Sequence, residues 1–93
     1  GSEDYWLTTP IQALVGAYKI SRGIDLKDRV WDKTEFPRAA RSAKTVLTIF
    51  ENDEDKSIQC IEALATWFES NRLDWTFETI AKRAADWKAG RMK

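Results

Sequence analysis

The side chains that most often do chemistry are nearly missing from this chain, which has no histidine and a single cysteine, Cys60. Acid–base or nucleophilic catalysis would have to rest on carboxylates, lysines, tyrosines or that one thiol. Asp53, Glu54 and Asp55 form the densest carboxylate group, but they stand where a helix is expected to begin. Capping and the positive end of the helix dipole account for them there. The run from Asn52 to Glu62 has no central glycine, so it does not meet the ligand pattern of a calcium loop. Zinc is excluded because structural zinc sites take four Cys or His ligands. The four glycines are isolated, so there is no phosphate-cradling loop. Cys60, on a helix flank, reads as a small buried hydrophobe. The residues predict a non-enzymatic chain with no cofactor and no metal.

What remains is basic charge and aromatic surface. Arg38, Arg41 and Lys44 recur at three-residue steps with no acid between residues 37 and 50. Lys82, Arg83, Lys88, Arg91 and Lys93 cluster near the carboxyl end. Either group could pair with phosphates. Trp31, Trp67 and Trp75, in that order of expected exposure, are candidates to stack on bases. Aromatics outnumber obvious base-reading side chains, which favours single-stranded DNA over duplex. Net charge is zero, which argues against a generic polyanion binder. Basic residues on an outer helix face also serve simply as a solvated face, and Trp75 could instead staple onto a later residue of its own helix.

The alternative is a protein-interaction or self-assembling bundle. Glu51, Asp53, Glu54, Asp55, Glu62 and Glu69 face only Lys56 between residues 51 and 69, and this acidic stretch could meet a basic patch on another molecule. An exposed apolar groove holding Trp67 or Trp31 would favour that alternative. A basic groove flanked by aromatics would favour nucleic acid.

These residues sit on four predicted helices. Thr9 followed by Pro10 is a cap-then-proline start, and Ile11, Leu14, Val15 and Tyr18 share a face before Gly23 stops the helix near Arg22. Ile24 to Glu35 shows no clean period. It reads as a loop with one turn of helix, or as a short amphipathic helix built on Leu26, Val30 and Trp31. Pro37 is expected to open the second long helix, with Phe36, Ala39, Ala40, Ala43, Val46, Leu47 and Phe50 on its inward side. Asn52 to Asp55 break and cap, and Ile58, Ile61, Leu64, Ala65 and Phe68 form the third stripe, ending near Asn71. Thr76 caps the last helix, whose stripe is Phe77, Ile80, Ala81, Ala84 and Trp87, with Gly90 closing it. The short connection predicts that the third and fourth helices are adjacent, angled or antiparallel.

Ninety-three residues, 43% of them hydrophobic and 32% charged, suit one ordinary globular domain with a single core. The expected fold is an all-α bundle of four to five helices over residues 9–93, without an internal repeat. Residues 1–8 read as a cloning scar, Gly1-Ser2, and a lead whose Tyr5 and Trp6 dock onto the bundle. The missing initial Met suggests a domain cut from a longer protein. No run approaches the roughly 20 apolar residues of a membrane span, and the lone cysteine fits a reducing, cytoplasmic setting.

Two resemblances follow from these residues. Thr79 to Arg83 is similar to the second helix of helix-turn-helix proteins, but Ala84 to Ala89 continue the same stripe and leave no recognition helix. The carboxyl half resembles helical segments toward the carboxyl end of phage and plasmid replication proteins and similar mobile-element proteins. The likeness rests on Ala43-Lys44, Leu47 to Phe50, the acidic break, Ala65 to Phe68, and Leu73-Asp74-Trp75-Thr76 leading into Glu78-Thr79-Ile80. It implies an accessory domain that touches template DNA or a replication partner.

Overall fold

Local capping chemistry sets where most of the helices begin and end. A computed structural model describes residues 9–91, which form α1 (Pro10–Arg22), α2 (Arg29–Ile49), α3 (Glu54–Ser70) and α4 (Phe77–Lys88) and, among those residues, no strand. Thr9 is extended, and its hydroxyl accepts from the Gln12 N–H at 3.2 Å. At the far end of α1, Gly23 takes φ 74°. The Ile24 N–H then closes onto the Lys19 carbonyl at 2.8 Å and that of Gly23 onto Ile20 at 3.2 Å. This satisfies carbonyls that the helix end would otherwise orphan. Asp53 accepts from the Lys56 N–H at 3.0 Å, and Glu54 and Asp55 occupy the first turn of α3. Thr76 and Thr79 exchange side-chain bonds with each other's backbone N–H as a capping box. The docking expected of Tyr5 and Trp6 lies outside the described residues.

One boundary differs from the sequence-based expectation. Pro37 does not open a helix; α2 starts eight residues earlier at Arg29, capped by Asp28, whose carboxylate accepts from the Trp31 N–H at 3.0 Å, and runs through the proline. An interior proline removes the N–H that would meet the carbonyl four residues back, here that of Lys33. Lys33 and Pro37 are both exposed, so water can reach the freed carbonyl. The turns before Pro37 are held from outside α2. Lys19 of α1 is ion-paired with Asp32, and Trp31 packs against Tyr18 at 6.2 Å between ring centroids.

The helices pack in the ring order α1, α2, α4, α3, with α2 and α3 scarcely touching across it. Arg22, at the end of α1, donates to the Trp75 carbonyl at 3.0 Å. Phe68, at the end of α3, lies parallel to Trp75 at 6.5 Å. Helices α1 and α3 therefore point toward one end of the bundle, and α2 and α4 start from it. The third and fourth helices are antiparallel neighbours.

Leu14, Val46, Ile61, Leu64 and Ile80 are completely or almost completely enclosed, so all four helices feed one core. That end of the bundle is aromatic. Tyr18 stacks on Phe77 at 4.7 Å and meets Trp75 edge-on at 5.7 Å, geometries that favour aromatic pairs beyond their buried area. The other end is closed by Phe50 and Trp87, edge-to-face at 5.8 Å.

Candidate nucleic-acid interface

The relation between α2 and α4 decides how the basic residues are arranged. Near the start of both helices Arg38 approaches Glu78 at 3.7 Å. Near their ends the Lys88 ammonium donates to the Ile49 carbonyl at 2.7 Å. The helices thus run in the same direction, offset by 39 residues at the second contact and by one more at the first. This register brings Lys82 level with Ser42 and Ala43, next to Arg41. Lys82 stands one turn beyond Glu78 on the same side of α4, and Arg41 one turn beyond Arg38 on α2.

Arg38, Arg41, Lys82 and Lys88 consequently border one seam, with Glu78 as the acid among them. Arg41, Lys44 and Lys82 are exposed, and their side chains make no hydrogen bond or ion pair among the described residues. The Arg38–Glu78 pair is open to solvent on both sides, with side chains 72% and 55% exposed, so water and salt screen it heavily. The Lys88 ammonium also lies 5.8 Å from the Phe50 ring.

The structure does not bring all eight basic positions together. Arg83 and Arg91 both turn to Asp86, at 3.6 and 3.4 Å, so a carboxylate already shares them. Lys44 falls at the margin of the seam, because three-residue steps drift round the helix by about 60° each. Lys93 lies outside the described residues.

The stacking candidates separate more sharply. Trp75 is 4% exposed, with Tyr18 and Phe68 on its ring and Arg22 5.2 Å from its centroid. It is a core side chain with no face left for a base, which corrects its place among the stacking residues. It precedes α4 and shares its core with Ile80 of that helix. Trp67 is half-buried, edge-on to Phe68 at 5.2 Å, and sits on α3, across the ring from α2. Trp31 is half-buried too and remains near the seam.

Beside Trp31 and Arg38 lies a cleft of about 140 Å³, floored by Tyr18 and Phe77 and rimmed by Glu35 and Glu78. Burial raises the Tyr18 phenol pKa; the nearby Arg22 charge and a backbone hydrogen bond from Phe77 oppose the rise, and Glu35 adds to it. Sequence reading missed this cleft. Trp31, Glu35 and Arg38 keep helical spacing, but Pro37 read as a helix start hid it.

Lys19 was missed as well. It is 4% exposed, bonded to Asp32 and to the Leu26 carbonyl at 3.3 Å, and lies 4.6 Å from the Trp31 ring. Its position on the margin of an apolar stripe was the available signal.

Cys60 is fully enclosed, and burial pushes its thiol up to about 12. Among the described residues no three His, Cys, Asp or Glu side chains are placed to hold a metal ion, and no helix is long and apolar enough to cross a membrane.

The chain matches no protein-family model and no curated protein, and its fold matches no solved structure.

Proposed function

We propose that this bundle is a non-catalytic accessory domain that contacts the phosphate backbone of DNA, within a larger replication or DNA-processing protein of the mobile-element kind. The observation that carries the reading is the parallel register of α2 and α4, which lines up Arg38, Arg41, Lys82 and Lys88 along one seam. The Arg41 and Lys82 side chains have no protein partner among the described residues, so their charge is available to an outside anion. Phosphate contacts of this kind position a protein without reading bases.

With Trp75 in the core and Trp67 on α3, Trp31 is the one of the three stacking candidates that stands near the seam. Base stacking therefore contributes little, and the preference for single strands loses its main support. The test is fluorescence anisotropy of labelled single-stranded and duplex oligonucleotides at low and near-physiological salt. Saturable, salt-sensitive binding supports the reading, and no binding at low salt overturns it.

A second reading, a protein-interaction bundle, draws on a different observation. Ile20, Val30 and Leu73 are exposed large apolar side chains, and all three lie at the aromatic end of the bundle. Pull-down partners lost on Ile20→Ser with Val30→Ser would favour it over DNA.

A further inference from the structure

Along most of the seam between α2 and α4 the side chains are short. The same register that aligns the cations sets Ala81 level with Ser42 and Ala85 level with Thr45. Thr45 and Ala85 are exposed and Ala81 is half-buried. The Thr45 hydroxyl turns back onto the Arg41 carbonyl at 3.1 Å, which keeps it close to its own helix. Arg38 with Glu78 bounds this stretch at one end, and Lys88 on the Ile49 carbonyl bounds it at the other. Between those ends runs a shallow trough with a floor of small side chains. Its edges carry long cations, Arg41 on α2 and Lys82 on α4, neither of them paired within the described residues.

The head of the trough adds an open donor. Ser42 is 5% exposed, lines the cleft beside Arg38, and its hydroxyl makes no hydrogen bond among the described residues. No fully enclosed side-chain oxygen or nitrogen among them lacks a partner, so this hydroxyl opens onto the cleft and can donate to an outside oxygen.

Dimensions select the occupant. Packed helices lie about 8–10 Å apart, which leaves width between the two rows of cations for one extended chain and too little for a helix about 10–12 Å across. From the level of Arg38 to that of Ile49 the trough is about 16 Å long, at 1.5 Å per residue. A nucleic-acid strand carries a phosphate every 3.4 Å or more along its path, so about three to five phosphates fit that length. A strand lying lengthwise meets positive charge from both edges, whereas one crossing the helices passes each edge once.

Resting on the phosphate-binding reading above, we infer that one strand of the DNA backbone lies lengthwise in this trough, parallel to α2 and α4, held by Arg41 from one edge and Lys82 from the other. Its bases turn outward, because the floor of Ser42, Thr45, Ala81 and Ala85 offers no ring to stack on. Single strands and duplexes therefore share the site through one backbone, and the footprint is short.

The experiment measures anisotropy of labelled oligothymidines of two to twelve nucleotides at low salt, with the unsubstituted domain, Ala85→Leu, and Thr66→Leu on the exposed face of α3 as the control. Affinity should climb steeply up to about five nucleotides and then rise only with the number of overlapping sites. Ala85→Leu adds bulk to the floor without changing charge, and it should weaken binding about tenfold, as for loss of one charge-assisted contact. Thr66→Leu should bind as the unsubstituted domain does, and circular dichroism should show both variants folded. Affinity that climbs steeply through twelve nucleotides, an Ala85→Leu variant that binds unchanged, or equal displacement of the DNA by hexaglutamate would overturn the lengthwise strand while phosphate binding by the seam still stood. No binding by the unsubstituted domain at any length would overturn both.

Discussion

The ammonium of Lys19 is buried against the carboxylate of Asp32, joining the end of α1 to the start of α2. The two partners are not equivalent, because Lys19 is enclosed whereas the Asp32 side chain is 43% exposed. Removing Asp32 strands a buried charge, whereas removing Lys19 leaves a carboxylate that water can reach. Asp32→Ala should cost about 2 kcal/mol, discounted from the fully buried case for solvent access, and Lys19→Met less than about 1 kcal/mol. Urea unfolding of the two variants checks the order, and a larger loss for Lys19→Met would refute it.

Pro37 is tolerated inside α2 but contributes nothing to it that alanine would not. Pro37→Ala restores an N–H for the Lys33 carbonyl and relieves the ring's crowding, against a more flexible unfolded chain. The variant should be more stable by about 1 kcal/mol, well short of the full helix-propensity difference between the two residues. Thermal unfolding followed by circular dichroism measures this, and a lower melting temperature would show that the proline is needed where it stands.

Cys60 sets an alkaline limit on stability. Its thiol is raised from 9.0 to about 12 in the folded chain by burial, so above pH 9 the unfolded state gives up this proton first. Stability from this group is complete below pH 9 and is lost as pH rises toward 12, and the raised Tyr18 phenol acts in the same direction. Cys60→Ala should flatten the decline between those pH values while lowering stability at pH 7. Thiol labelling of the unsubstituted domain at pH 8 should proceed only through opening of the core, at a rate that rises with added denaturant.

The seam predicts a contrast between two double charge reversals. Arg41→Glu with Lys82→Glu removes two unpartnered cations that face each other across the seam and should weaken DNA binding strongly, lowering the salt-dependence slope by about two. Arg83→Glu with Arg91→Glu alters side chains already shared with Asp86, and its effect should be markedly smaller. Anisotropy titrations at several salt concentrations distinguish the pairs. Equal effects would mean that general charge, and not the α2/α4 register, governs binding.

What the sequence determined by itself is the set of features whose causes lie within a few residues of each other. Thr9 with Pro10, Gly23, Asp53, Thr76 and Gly90 mark helix ends because a cap bonds to a neighbour three or so positions away, and the all-α class follows from stripes that repeat within one helix. The tertiary structure decided what depends on distant partners. Helix α2 continues through Pro37 because Lys19 and Tyr18 hold its first turns from another helix. Trp75 is core because Arg22, 53 residues away, and Tyr18 close over it. Arg41 and Lys82 share a seam, while Arg83 and Arg91 leave it for Asp86, because α2 and α4 lie parallel in one register, held where Lys88 meets Ile49 across 39 residues. No local pattern encodes that register; it comes from packing four apolar stripes around one core, and the packing then selects which charges remain free.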